Sequence, residues 1–399
     1  MTTTSHEPLW KSWLVLLSMA TDPVFLRFRI HRAWAKLTGA GRPEPPLPPA
    51  GPPREGDADL ESLEVDLVYL WVSGQDADLV RERHEWLRRC GLPAEVFNPD
   101  VRYVEHDELR YSLRSVERFL PWVRRVFVVT NGQVPGWLER RNTRVRLVRH
   151  TEIFPDPSWL PTFNSVAIEA QLHHIPDLAE HFLYANDDCF IGRPCTKADF
   201  FAGRDGSQGA RMRIVLSERW ITPAHRVTGD PLGRLLMYSY NSLKLALESR
   251  RPWRKVRHLD CHQAQPMVKA RLEEATRGFD RLYRHVSASR FRSPEDVNFL
   301  VLTRYRALQR GQAVHGSISR RFFRREEELD AFDETTLPAL FCVNEGRAPG
   351  GMGTERPLAR LFPGPSSFER SAARPEAARP SYRGSGAGRR RTDLIQLRD

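Results

Sequence analysis

Two adjacent carboxylates, Asp187 and Asp188, follow an apolar run, His181 to Ala185, and the amide of Asn186. Like charges placed side by side repel, and a cation beside them offsets that cost. Hard oxygen donors of this kind suit Mg²⁺ or Mn²⁺, ions that in turn hold diphosphates. The same residues also read as a polar turn in which Asn186 and Asp187 cap the following segment. His262, in Asp260-Cys261-His262-Gln263, has the chemistry to move a proton near neutral pH or to attack phosphorus. It reads equally as one structural histidine among thirteen. Arg292 lies in Arg290-Phe291-Arg292-Ser293-Pro294-Glu295-Asp296. Its guanidinium fork matches phosphate oxygens, although the segment also reads as a solvated helix start. Asn164 and Ser165 open a helical pattern, where they suit either an anion or ordinary capping.

The elements that must position these residues follow from periodicity. Val65–Val72, Arg125–Thr130, Val145–Val148 and His181–Ala185 are apolar runs of strand length. Ala77–Arg89, Glu108–Phe119 (capped by Asp107) and Phe163–His174 have helical spacing. Strands alternating with helices predict an α/β sheet with parallel strands. Ligands then sit beyond the strand carboxyl ends, which places Ser73, Asn131 and Asp187 there. Trp71 reads as core. Residues 203–258 are less patterned and are expected to form a mostly helical insertion.

Composition narrows the function. The chain has 399 residues and is 40% hydrophobic and 28% charged, which is globular composition. No GxxxxGK[ST], GxSxG, HExxH or GxGxxG occurs, which argues against P-loop, α/β-hydrolase, zincin and dinucleotide chemistry. The net charge of +11 fits an anionic substrate. Arginines are spread along the chain and mixed with acids, which argues against nucleic acid as the partner. The five cysteines form no CxxC pair, which argues against a disulfide framework or a structural zinc site and suits a reducing compartment. No apolar run has the length of a membrane span; Trp13–Ala20 is too short for one, and it lacks the small-residue cleavage site and basic start of a secretory signal. Residues 1–57 are expected to be an appendage. Within it, 9–37 has the composition for peripheral membrane contact or for docking on the catalytic domain, and a proline-rich linker follows. The catalytic domain is expected over 58–362, with a disordered basic tail over 363–399.

In order, these segments resemble the Stealth family of hexose-1-phosphoryltransferases. The first block is Val65-Asp66-Leu67-Val68-Tyr69-Leu70-Trp71-Val72-Ser73-Gly74. The second runs from Leu109 to Leu138 and on through Leu160-Pro161-Thr162-Phe163-Asn164-Ser165 and Asn186-Asp187-Asp188. His262 and Arg292-Ser293-Pro294-Glu295-Asp296 form the third, and Phe341-Cys342-Val343-Asn344-Glu345 the fourth. The resemblance implies an α/β fold, a nucleotide-sugar-binding, GT-A-like mixed sheet flanked by helices. It implies transfer of a sugar-1-phosphate from a UDP-sugar to a hydroxyl of an acceptor glycan, with release of UMP, in the cytoplasm or at the inner membrane face. The implied roles are Asp187 and Asp188 on Mg²⁺ or Mn²⁺, Arg292 on the phosphoryl group, and His262 as base or nucleophile. Asp66, Asn164 and Ser165 are expected to shape the donor site with Arg114 nearby, and Asn344 to contact donor or metal. The competing expectation is a metal-dependent glycosyltransferase that releases UDP.

Overall fold

The computed structural model describes residues 60–92, 107–204, 209–221, 256–259, 262–293, 296–344 and 355–370. The amphipathic segment 9–37, the proline-rich linker, most of the insertion, Glu345 and the tail beyond Arg370 lie outside them. Thirteen strands run in chain order through the described residues. They are β1 (Val65–Leu70), β2 (Val126–Thr130), β3 (Val145–Arg149), β4 (His181–Asn186), β5 (Cys189–Ile191), β6 (Phe201–Arg204) and β7 (Ala210–Ile214). β8 (Leu216–Ile221), β9 (Val256–Leu259), β10 (Gln265–Val268), β11 (Ala313–His315), β12 (Arg320–Phe323) and β13 (Leu340–Val343) complete them.

The central sheet has the order β10-β4-β1-β2-β3. β1 pairs in parallel with β2 and β4, β2 pairs in parallel with β3, and β10 runs antiparallel on β4. All five residues of β2 are buried, as are five of six in β1 and in β4, so these strands are apolar on both faces. The chain steps from β1 to β2 to β3 and then returns to the other side of β1. With right-handed crossovers this reversal puts the connecting helices on opposite faces. The side chains agree. Tyr69 reaches Ser112 Oγ (2.7 Å) in the helix Glu108–Phe119, whereas Tyr184, level with Val68, reaches Glu169 (3.0 Å) in the helix Ser165–Glu169. The order therefore reverses between β1 and β4, and the crevice at their carboxyl ends, beyond Leu70 and Asn186, is where such sheets take ligands.

Smaller sheets extend this frame. β5 follows β4 after two residues and pairs with β13, which lies between β5 and β12. β6, β7 and β11 form another, and β8 pairs with β9. Of the mostly helical insertion expected over 203–258, the described parts are strands (β7, β8 and β9, with the end of β6), and residues 222–255 lie outside the described residues. Ala210-Arg211-Met212-Arg213-Ile214 alternates buried and half-buried positions, which is strand periodicity.

Two expected donor residues are structural instead. Asp66 is the second residue of β1, about 13 Å from the strand's carboxyl end at the usual rise per residue. Its carboxylate is fully buried and accepts hydrogen bonds from Arg124 Nε (2.9 Å) and Nη2 (2.7 Å) and from the backbone of Ala179 (2.7 Å). Without that carboxylate the buried Ala179 N–H loses its acceptor, and Arg124 keeps only Glu64 and the Asp177 carbonyl. Asp66→Ala is therefore expected to cost about 3 kcal/mol in urea unfolding, and kcat of the remaining folded protein should not change.

Arg114 is the second. Its Nε and Nη2 grip both oxygens of Glu369 (2.6 and 2.7 Å), and its Nη1 donates to the Phe362 carbonyl (3.1 Å). Arg110 holds the same carboxylate at 2.5 Å. The described structure accordingly continues to Arg370, past the boundary expected at 362. Phe368 is fully buried, Glu139 N donates to the Phe368 carbonyl (2.7 Å), and Leu138 bridges Glu369. Burial raises the Glu369 pKa, but hydrogen bonds from Arg114, the Ser366 amide and Arg110 outweigh it and take the carboxyl from 4.5 to about 2. A depressed native pKa stabilises the fold above the unfolded value, and that stability fades as pH falls toward the native one. The stability gap between the native protein and Glu369→Gln should therefore shrink between pH 4.5 and about 2, as read by denaturant melts across that range.

Candidate functional site

The acidic pair occupies the turn between β4 and β5, at the mouth of the β1–β4 crevice. Asp187 and Asp188 are both half-buried. Pairing of β5 with β13 brings the fourth sequence block to them: Val343 N donates to the Asp188 carbonyl (3.0 Å), and Asn344 Nδ2 donates to Asp188 Oδ2 (2.8 Å). Asp188 and Asn344 thus lie side by side, next in sequence to Asp187, and hard-oxygen side chains of this kind are the type that suits Mg²⁺ or Mn²⁺.

His262 precedes β10. β10 begins three residues later, where Gln265 pairs with Tyr184 of β4. His262 Nδ1 lies 4.0 Å from Cys342 Sγ, and its ring meets Phe322 edge-on at 5.1 Å.

Arg292 arrives from the other face. Its loop is tied to the segment before the helix Ser165–Glu169: Phe163 N donates to the Arg290 carbonyl (2.8 Å), and the Phe163 and Phe291 rings stack at 5.3 Å. Arg292 Nη2 then donates to Ser165 Oγ (2.6 Å). Asn164 is fully buried and has both side-chain polar atoms engaged. Its Oδ1 caps Val166 N (3.0 Å) and its Nδ2 donates to Asp296 Oδ2 (3.0 Å). The donor contact expected of Asn164 is thus corrected to a structural one: it locks the two segments that deliver Ser165 and Arg292.

The sequence reading missed Glu169 and Tyr184, which link these groups. Glu169 is 7% exposed, and its Oε2 accepts from Asn298 Nδ2 (2.6 Å). Burial raises its pKa, and the nearby positive charge of Arg292 is the largest effect opposing that rise. The Tyr184 phenol lies 3.0 Å from Glu169 Oε1 and 2.9 Å from Asn186 Oδ1. Burial and the Glu169 carboxylate hold that phenol protonated far above its ordinary range. A polar path therefore runs from Arg292 past Glu169 and Tyr184 to Asn186, next to the acidic pair. The available signal was a carboxylate inside the apolar stretch Val166-Ala167-Ile168-Glu169-Ala170, where burial without a partner is costly.

Ser73 and Asn131 lie at strand carboxyl ends as expected. Ser73 N donates to Gln133 Oε1 (2.7 Å), joining the loops after β1 and β2. A cleft of about 750 Å³ opens between the helix Ala77–Arg89 and the loops after β2 and β3, lined by Asp76, Asp78, Glu82, Asn131, Gln133 and Arg149. The site thus gathers Asp187, Asp188, Asn344 and His262 on one side and Arg292, Ser165 and Glu169 on the other. Asp66 and Arg114 stand apart from it.

Residues 102–208 match the family model of Stealth protein CR2, conserved region 2. An exopolysaccharide phosphotransferase of Streptomyces coelicolor is 37% identical over 321 residues, 77% of this chain and 52% of the relative. Exopolysaccharide phosphotransferase CpsY of Mycobacterium tuberculosis is 33% identical over 335 residues, 78% of this chain and 59% of the relative. A capsular polysaccharide phosphotransferase of Haemophilus influenzae is 34% identical over 237 residues, covering 59% of this chain and 63% of the relative. The chain spans a little over half the length of the curated relatives that it matches most extensively.

Proposed function

We propose that this chain, a Stealth protein by its second conserved region, transfers a hexose-1-phosphate from a UDP-sugar to a hydroxyl of an acceptor glycan in surface-polysaccharide synthesis. What supports the reading is the place of the acidic pair in the turn after β4, at the carboxyl end of the β1–β4 pair, with a chain of contacts through Asn186, Tyr184 and Glu169 leading toward Arg292. Relatives named as exopolysaccharide and capsular polysaccharide phosphotransferases supply the reaction class.

In this reading the acceptor oxygen attacks the phosphorus that bears the sugar. A new P–O bond forms, the P–O bond to the bridging diphosphate oxygen breaks, and UMP departs with that oxygen. The sugar C1–O bond stays intact. Such transfers are governed by positioning and charge neutralisation. Asp187 and Asp188, with Asn344 alongside, would hold Mg²⁺ or Mn²⁺, which would supply neutralising charge for the diphosphate. Arg292, anchored on Ser165, faces the transferred group. His262 either takes the acceptor proton in this direct displacement, or first attacks the phosphorus and releases UMP, giving a sugar-phosphohistidine whose P–N bond the acceptor hydroxyl then breaks; trapping of that adduct tells the two apart. The polar cleft beside the helix Ala77–Arg89 has room for the nucleoside end of the donor.

Among the described residues no helix is long and apolar enough to cross a membrane. We place the reaction at the cytoplasmic face, where activated sugars meet growing polymer, with 9–37 as the segment suited to peripheral contact. The test is nucleotide release with Mg²⁺ or Mn²⁺, a panel of UDP-sugars and candidate glycans. Acceptor-dependent UMP is the expected product. Acceptor-dependent UDP would replace this reading with ordinary glycosyl transfer.

A further inference from the structure

The cysteine pattern carries no metal-binding spacing along the chain, but the β5–β13 register creates one in space. Cys189 and Cys342 stand directly opposite each other in that antiparallel pair and are 3% and 0% exposed. Both are free thiols. A carboxylate oxygen of Asp188 and the two sulfurs all lie within 4.8 Å of one another. Asp188 Oδ1 is 3.5 Å from Cys189 Sγ, and His262 Nδ1 approaches Cys342 Sγ at 4.0 Å. In a tetrahedral zinc centre, ligand atoms stand about 3.5–3.8 Å apart, given bonds of about 2.1 Å to oxygen and 2.3 Å to sulfur. Small side-chain movements close the gap between the two geometries.

We propose that Asp188, Cys189 and Cys342 form a binding site for a thiophilic divalent cation of the zinc class, with His262, beside Cys342, as the fourth donor on a small movement of its ring. Two sulfur ligands separate this site from the hard-oxygen pair, because thiolates select zinc-class ions and leave Mg²⁺ to carboxylates. Asp188 belongs to both sets and serves one cation at a time. A zinc-class ion is therefore an inhibitor of the transfer reaction, a consequence that rests on the proposed function, whereas the binding itself does not.

The test uses the reduced, metal-stripped full chain titrated with Co²⁺ as a spectroscopic stand-in for zinc. The expected result is a sulfur-to-cobalt charge-transfer band with intense visible d–d bands, saturating at one equivalent and erased by Zn²⁺. Cys189→Ala and Cys342→Ala, each checked for native circular dichroism, should abolish the charge-transfer band, and Asp187→Asn should keep it. Absence of that band in the reduced protein, or its survival in both cysteine variants, overturns the proposal. Formation of a Cys189–Cys342 disulfide in air, with no cobalt–sulfur band after reduction, also overturns it and reassigns the two thiols as a redox pair. None of these readouts needs donor or acceptor, so failure here leaves the sugar-phosphate reading standing.

Discussion

Arg292→Lys is expected to lower kcat by about 10³-fold, the lower end of what a phosphate-directed arginine contributes to phosphoryl transfer, with KM for the donor little changed. Arg292 holds Ser165 through one guanidinium nitrogen at 2.6 Å, which leaves the rest of the planar fork to meet phosphate oxygens. Lysine keeps the positive charge near Glu169 but is a point donor. It cannot hold Ser165 and present two parallel N–H groups at once. If charge alone were needed, lysine would rescue what Arg292→Ala loses. The loop itself should survive, because Asn164, Asp296 and the Phe163–Phe291 stack hold it without the guanidinium. Steady-state kinetics at saturating donor, with circular dichroism to confirm folding, decide the matter. A lysine variant within about tenfold of wild type, or 1.4 kcal/mol, would reduce Arg292 to a counter-charge.

What the sequence made legible was local. The apolar runs at 65–70, 126–130 and 181–186 became parallel strands because their residues are buried on both faces and no polar alternation competes. The turns that follow them hold Ser73, Asn131 and the acidic pair, and Trp71 is core at 6% exposure. What stayed hidden depends on contacts between distant segments. Asp66 sits in a strand of the first block, yet its position at the amino end commits it to Arg124. Arg114 has the charge for a phosphate and is instead saturated by Glu369, a residue in the stretch expected to be a loose tail. Glu169 stands out only as a carboxylate in an apolar stretch, and Tyr184 not at all. Each becomes meaningful only when the helix Ser165–Glu169 packs on β4 and puts a carboxylate against a phenol. Cys189 and Cys342 likewise became neighbours through strand register, which no spacing rule along the chain can show. Within the expected insertion, Arg211 and Arg213 hide the period-two alternation of β7.

Asp188→Asn separates catalysis from stability most sharply, because the two should move in opposite directions. Asparagine is nearly isosteric, and its side-chain oxygen can still accept from Asn344 Nδ2, the contact that ties the β4–β5 turn to the end of β13. The backbone bond from Val343 N to the Asp188 carbonyl is untouched. What disappears is one of two neighbouring negative charges, whose repulsion the protein bears in the absence of a cation. Cation-free protein should therefore melt at the same or a higher temperature than wild type. Turnover should fall by roughly 10³-fold, since the charge that a metal ion brings to a diphosphate is worth several kcal/mol in the transition state. Excess Mg²⁺ should not restore it, because the lost group is a ligand and not a weak screening charge. Thermal melts with and without Mg²⁺ complete the test: the cation should raise the wild-type melting temperature by binding the native state and leave the variant nearly unmoved. A variant that still turns over at millimolar Mg²⁺, or that gains as much thermal stability from the ion as wild type does, would take Asp188 out of the metal site. The gain in stability and the loss of activity share one origin, a repulsion tolerated for the sake of the ligand it can hold.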